Sequence, residues 1–190
     1  MKTNRLEAFS DGVIAILITI MVLEFKTPEG HDWTALWPLR VKFCAYALSF
    51  IYLGIYWNNH HHMLQLTERV NGGMLWANLH LLFWLSLTPF ATAWIGDARL
   101  APVPTAVYGG ILLLTGAAFN ILEHVIIASQ GAHSPLRAAV GSDVKGKMSV
   151  GLYALAIGFA FRLPWISAVI YVAVALMWLV PDPRIERRLR

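Results

Sequence analysis

From residue 74 to residue 95 the chain carries no Asp, Glu, Lys or Arg. An uncharged run of this length is what a bilayer-spanning helix requires, at about 20 mostly apolar residues. Five further stretches are apolar enough, or nearly so, to be read the same way: 8–25, 41–63, 103–129, 148–161 and 163–180. The composition agrees. Of the 190 residues 57% are hydrophobic and 14% charged, against about 25% charged in an ordinary soluble domain. The mean hydropathy is +0.57. So few charges cannot cover the surface of a water-soluble globule, which argues against a soluble enzyme or a disordered tail. The lone Cys44 rules out a disulfide scaffold within the chain. The expected fold is all-α: a polytopic membrane protein with six transmembrane helices in one domain, 1–190, and almost nothing outside the bilayer.

Polar loops at 26–38, 64–73, 96–102 and 130–147 punctuate the spans, and none is long enough for a second domain. The fifth span is the shortest. Only Arg162, Leu163 and Pro164 join it to the sixth, which implies a tight helical hairpin. With the N-terminus inside, ten of the 15 basic residues fall on the inner side: Lys2, Arg5, Arg69, Arg137, Lys145, Lys147, Arg184, Arg187, Arg188 and Arg190. Cytoplasmic loops carry the excess of Lys and Arg, so both termini are expected in the cytoplasm, in a plasma-membrane protein. The net charge of +4 then reflects basic loops and a lipid-anchoring tail at 181–190 rather than nucleic-acid binding.

Ionisable groups inside a membrane are costly and mark function by default. The densest such cluster opens the first span, with Arg5, Glu7, Ser10 and Asp11. Ser10 or Asp11 can be read as an N-cap. Alternatively Asp11 lies inside the helix and needs partners elsewhere, since a buried carboxylate without them becomes protonated. Arg5 is six residues away, too far for an i,i+4 pair. Candidates at the inner ends of the second and third spans are Asn58, Asn59, His60, His61, His62, Asn78 and His80.

Arg5, Phe9, Ser10, Asp11 and Gly12, followed by Ala15, Ile16 and Thr19, resemble the first helix of the lysosomal potassium channel family, the transmembrane protein 175 family. Trp57, His60 and His61, together with Asn78 and the Thr88–Pro89–Phe90 turn, are similar to that family as well. Its animal members carry two six-helix repeats, and this chain carries one, like the prokaryotic members.

Gly12, Ile16, Thr19, Ile20 and Leu23 recur at steps of three and four, so they share one helix face. The spacing suits packing against helices or lipid as well as a pore. The resemblance implies the pore: four first helices surround an axis, Ile16, Ile20 and Leu23 form its narrowing rings, and Thr19 supplies a ring of hydroxyls. It further implies a homotetrameric channel for potassium and other monovalent cations, gated by dewetting, with modest preference for potassium over sodium. No cofactor and no enzymatic reaction are implied. Arg5, Phe9, Ser10 and Asp11 become structural residues, with Arg5 and Asp11 tying the inner end of the helix to Trp57, His60, His61 and Asn78. Glu24, Glu29 and Asp32 either gather cations at the outer mouth or are solvated loop acids. Val107, Tyr108, Gly109 and Gly110 have the wrong order for a carbonyl filter; paired glycines in an apolar helix more often permit close packing.

Other readings remain open on the residues alone. His60, His61 and His62 suggest a metal or haem protein, though adjacent histidines on a helix point in different directions. Glu123 and His124 suggest the proton relay of a small membrane transporter. Transporters, however, favour matching halves with broken helices, and no such halves are visible.

Overall fold

A computed structural model describes residues 3–67, 69–131, 134–141 and 143–179. Every regular element among them is helical: α1 Thr3–Ile20, α2 Arg40–Gln65, α3 Gly72–Ser86, α4 Thr88–Asp97, α5 Pro102–Gln130, α6 Pro135–Val140, α7 Val144–Ala160 and α8 Pro164–Leu179. Two 3-10 segments, Met21–Glu24 and Trp33–Leu39, flank the first loop, 25–32. Lys2, Val180 and the basic tail 181–190 lie outside the described residues.

Four helical units are long and apolar enough to cross a bilayer: Thr3–Glu24, Trp33–Gln65, Gly72–Asp97 and Pro102–Gln130. The apolar α8 is shorter, at 16 residues or about 24 Å. The 17 residues of α7 start at Val144, four positions before the expected 148, because Asp143 caps them with a side-chain oxygen 3.0 Å from Gly146 N. Phe161–Leu163 turns α7 into α8, and Ser167 closes the hairpin by donating to the Ala156 carbonyl at 2.6 Å.

The third span is two helices, not one. It breaks at Leu87, and Pro89 occupies the first turn of α4, where its missing N–H leaves no helical bond unmade. Asn71 caps the start of α3 by accepting from Met74 N at 3.0 Å. The first helix also starts earlier than the apolar pattern implied, at Thr3. Ser10 and Asp11 therefore sit two turns inside it, and neither is its N-cap.

Two cores organise the bundle, and α5 contributes to both. One joins α1, α2, α3 and α5 through Ile14, Leu17, Leu53, Leu81 and Leu122. The other joins α2, α4, α5, α7 and α8 through Tyr52, Tyr108, Tyr153 and Tyr171. In the second, the phenols are buried yet paired: Tyr52 donates to the Tyr171 carbonyl (2.6 Å), Tyr171 to the Thr105 carbonyl (3.0 Å), and Tyr108 meets Ser49 at 2.9 Å. Such pairing is what makes a polar group tolerable in an apolar interior. A Cβ on Gly109 would overlap the Tyr171 hydroxyl, whereas one on Gly110 meets open space. The Val107–Gly110 segment thus stays helical in α5 and serves helix packing through one of its two glycines.

Candidate functional site

The polar residues near the N-terminal end of α1 meet α2 and α3 in two adjoining sets. The inner set is Ser10, His60 and Asn78, each 0% exposed. Ser10 donates to the Leu6 carbonyl at 2.9 Å, one turn back in its own helix, so its oxygen accepts from elsewhere. Asn78 Nδ2 supplies that proton at 3.0 Å, and its Oδ1 accepts from His60 Nε2 at 2.7 Å. An amide oxygen only accepts, so Nε2 carries the proton and His60 Nδ1 is left as a bare acceptor. That atom is buried and has no partner among the described residues.

The outer set adjoins it: Glu7 and Trp57 lie about one turn before Ser10 and His60, and Asp11 and His61 directly follow them. Trp57 donates its indole N–H to Asp11 Oδ1 at 3.0 Å. His61 Nδ1 meets Glu7 Oε1 at 2.6 Å, and Gln65 Nε2 meets His61 Nε2 at 2.7 Å. Gln65 donates there, so Nδ1 carries the ring proton and gives it to the carboxylate. The Trp57 and His61 rings stack with centroids 6.2 Å apart. Helical spacing produces this layout: Glu7 and Asp11, four apart, face Trp57 and His61, also four apart. His60, about 100° from His61, turns into the interior instead.

Of the residues assigned to a structural network, Ser10, Asp11, Trp57, His60, His61 and Asn78 do join it. Arg5 and Phe9 do not. Arg5 is exposed and makes no hydrogen bond or ion pair among the described residues, because it projects from the side of α1 away from α2 and α3. Phe9 is 53% exposed. Seven residues before Ile16, it shares that residue's face. Asp11 is half-buried and, among the described residues, accepts a hydrogen bond from Trp57. Glu7 stands in the sequence cluster with Asp11 but was given no role there, although its place one turn before Asp11 was a usable signal.

The opposite side of α1 is largely uncovered by the described residues. Ile16 is 60% and Leu23 78% exposed, while Ile14, Leu17 and Met21 are buried. Ile20 and Thr19 share the exposed side. Thr19 donates its hydroxyl to the Ile16 carbonyl at 2.9 Å, which leaves the oxygen lone pairs facing outward. Ile18 packs partly buried against the core.

The histidine run disperses. His60 and His61 bind different partners, and among the described residues no three His, Cys, Asp or Glu converge for a metal. His124 bonds the Asn120 carbonyl, and Glu123 Oε1 is buried with no hydrogen-bond partner among the described residues.

Comparison with known proteins bears on this layout. Residues 5–89, which include both polar sets and the exposed face, match the family model described as endosomal/lysosomal potassium channel TMEM175. A potassium channel of Chryseobacterium sp. (strain P1-3) is 54% identical over 190 residues, covering 100% of this chain and 99% of that one. The chain belongs to the TMEM175 family. A second relative, a potassium channel of Chamaesiphon minutus, is 32% identical over 190 residues, with 92% of each chain covered. The fold is similar to the crystal structure of a lysosomal potassium-selective channel TMEM175 homolog from Chamaesiphon minutus. The TM-score there is 0.83 at 29% identity, over 95% of this chain and 98% of that one. As a TMEM175-family chain, the protein is a multi-pass membrane protein of an ion-channel family rather than an enzyme.

Proposed function

We propose that the chain is one subunit of a potassium-permeable cation channel in the plasma membrane, with α1 from four copies lining the pore. The observation that carries this reading is the division of α1 into two sides. One side is fixed by buried hydrogen bonds to α2 and α3. The other leaves Ile16, Ile20 and Leu23 exposed among the described residues. A ring of identical helices gives such a side an occupant, namely its own copies around an axis. The names of the relatives above point to potassium as the permeant ion.

In this arrangement the side chains of Ile16, Ile20 and Leu23 form stacked apolar constrictions. A narrow apolar ring expels water, and an ion that enters loses hydration without replacement. Rotation or tilt of α1 that withdraws the branched side chains restores the water column. Thr19 offers the hydroxyl oxygens among those rings: its proton is held by the Ile16 carbonyl, so the lone pairs are free to receive a partly dehydrated cation. A single ring of hydroxyls discriminates weakly by itself, so preference for potassium over sodium is modest. Both termini lie in the cytoplasm, as the distribution of Lys and Arg favours.

The test is flux from potassium-loaded liposomes containing the purified protein, with sodium-loaded liposomes in parallel. Protein-dependent potassium efflux that exceeds sodium efflux supports the reading. Absence of efflux from well-reconstituted, folded protein defeats it.

A further inference from the structure

A second site lies away from α1. Between the cytoplasmic ends of α2, α5, α6 and α7 is a cavity of about 680 Å³, within the range of small-molecule sites. Its walls are largely aromatic and apolar, with Tyr56, Phe119 and Trp178 among them. Glu123 lines it and is only 9% exposed. Its Oε1 is buried and has no hydrogen-bond partner among the described residues. On the same face of α5, Asn120 donates to Asp143 Oδ2 at 3.2 Å, and Asp143 also lines the cavity. The cavity therefore has two carboxylates in its wall, Glu123 buried and Asp143 half-buried. His124, Arg137 and Lys147 line it too, but all three are exposed.

A carboxylate withdrawn from water and left unpaired is expensive, and a cation that completes it recovers that cost. The aromatic walls favour an organic cation, since ring faces attract ammonium groups and shelter an alkyl chain. A cationic side chain already uses one of them: Lys145 Nζ lies 5.8 Å from the Trp178 ring centroid. We propose that this cavity binds a primary alkylammonium group, with the ammonium on Glu123 and the apolar tail along the aromatic walls. Two sources offer that chemistry, a free amphiphilic amine and the headgroup of an aminophospholipid. The exposed Arg137 and Lys147 suit the phosphate of the latter.

The affinity of the purified protein for dodecylammonium, at concentrations below its micelle threshold, is compared with that for uncharged dodecanol. The expected result is tighter binding of dodecylammonium, reduced about tenfold or more in Glu123→Gln, with dodecanol unaffected. Should Glu123→Gln not fold, Gly116→Leu decides. A Cβ at Gly116 meets Tyr56 Oη at an ordinary 3.6 Å, so the longer side chain fills cavity space while Glu123 stays intact. It should abolish the preference for dodecylammonium. Equal binding of the two amphiphiles to the native protein, or a preference that survives these substitutions, overturns the proposal. Native mass spectrometry in mixed phosphatidylethanolamine and phosphatidylcholine separates the sources. Retention of phosphatidylethanolamine that is lost in the variants assigns the site to a lipid headgroup. No preference between the lipids, with dodecylammonium still bound, assigns it to a free amine.

Discussion

Asn78 on α3 holds Ser10 on α1 at 3.0 Å and His60 on α2 at 2.7 Å, so one amide group fixes three helices to each other. All three residues are sealed from solvent. The rotation of α1 about its own axis, and with it the direction in which Ile16 points, depends on this junction.

Asn78→Leu removes both bonds at similar volume and strands the Ser10 oxygen and His60 Nε2. Each orphaned buried group costs about 1–3 kcal/mol. The expected outcome is a clear drop in the thermal unfolding midpoint in detergent, or loss of the folded protein. Unchanged melting and assembly would show that the amide junction contributes nothing.

Asp11 and Trp57 form the adjoining contact, and both are partly exposed. Their coupling should therefore be modest, about 0.5–1.5 kcal/mol in a double-mutant cycle with Asp11→Ala and Trp57→Phe. Asp11→Asn retains an accepting oxygen and should assemble normally. The effect of Asp11→Ala should fall on assembly more than on permeation. A fully assembled Asp11→Ala protein with altered ion selectivity would instead make Asp11 a pore residue.

Gly109 and Gly110 give a contrast within one helix. A methyl at Gly109 collides with the Tyr171 ring and hydroxyl and disturbs the bond from Tyr171 to the Thr105 carbonyl, while a methyl at Gly110 has free space. Gly109→Ala should destabilise by about 1–3 kcal/mol through overpacking, and Gly110→Ala should be nearly neutral or slightly stabilising. Comparable melting curves for the two variants would mean that α5 and α8 can move apart at no cost.

How far the sequence reveals this molecule depends on the kind of signal. The uncharged runs mark the helices, because hydrocarbon admits little else. Helix ends follow capping and proline chemistry that runs of apolar residues conceal. Thus Asp143 starts α7 early and Pro89 divides the third span, while α1 is already helical at Thr3, well before its apolar run. The junction of Ser10, His60 and Asn78 was foreseeable as polar groups needing partners, but which partner each takes depends on helix rotation. For that reason Arg5, prominent in the sequence, stands outside the network, while Glu7 is within it. The cavity beside Glu123 had no sequence signature beyond a carboxylate in an apolar helix.

Assembly is checked without mutation. The proposed pore, lined by α1 around a central axis, needs further copies, and four are expected. Native mass spectrometry of the active protein should give a mass four times that of the 21.2 kDa chain. A stable monomer or dimer that still conducts would remove α1 from the axis.

The direction of α1 is tested by a pair of residues two apart. Ile16 is exposed on the open face, and Ile18, about 200° around the helix, packs against the protein core. In the proposed tetramer, four Ile16 side chains meet at the axis and leave a dry, narrow ring. Ile16→Asn places amides there, which hold water where the hydrocarbon excluded it. If this lowers the barrier by about 1.4 kcal/mol, basal potassium flux rises about tenfold, and discrimination among monovalent cations weakens. Ile18→Asn buries the same amide in the core without a designed partner. Its expected effect is lower stability and yield, with flux per folded channel little changed. Liposome flux measured at matched amounts of assembled protein separates the two. Opening by Ile18→Asn with no change from Ile16→Asn would place the pore on the other side of α1, the side that Ser10 and Asn78 hold against α3.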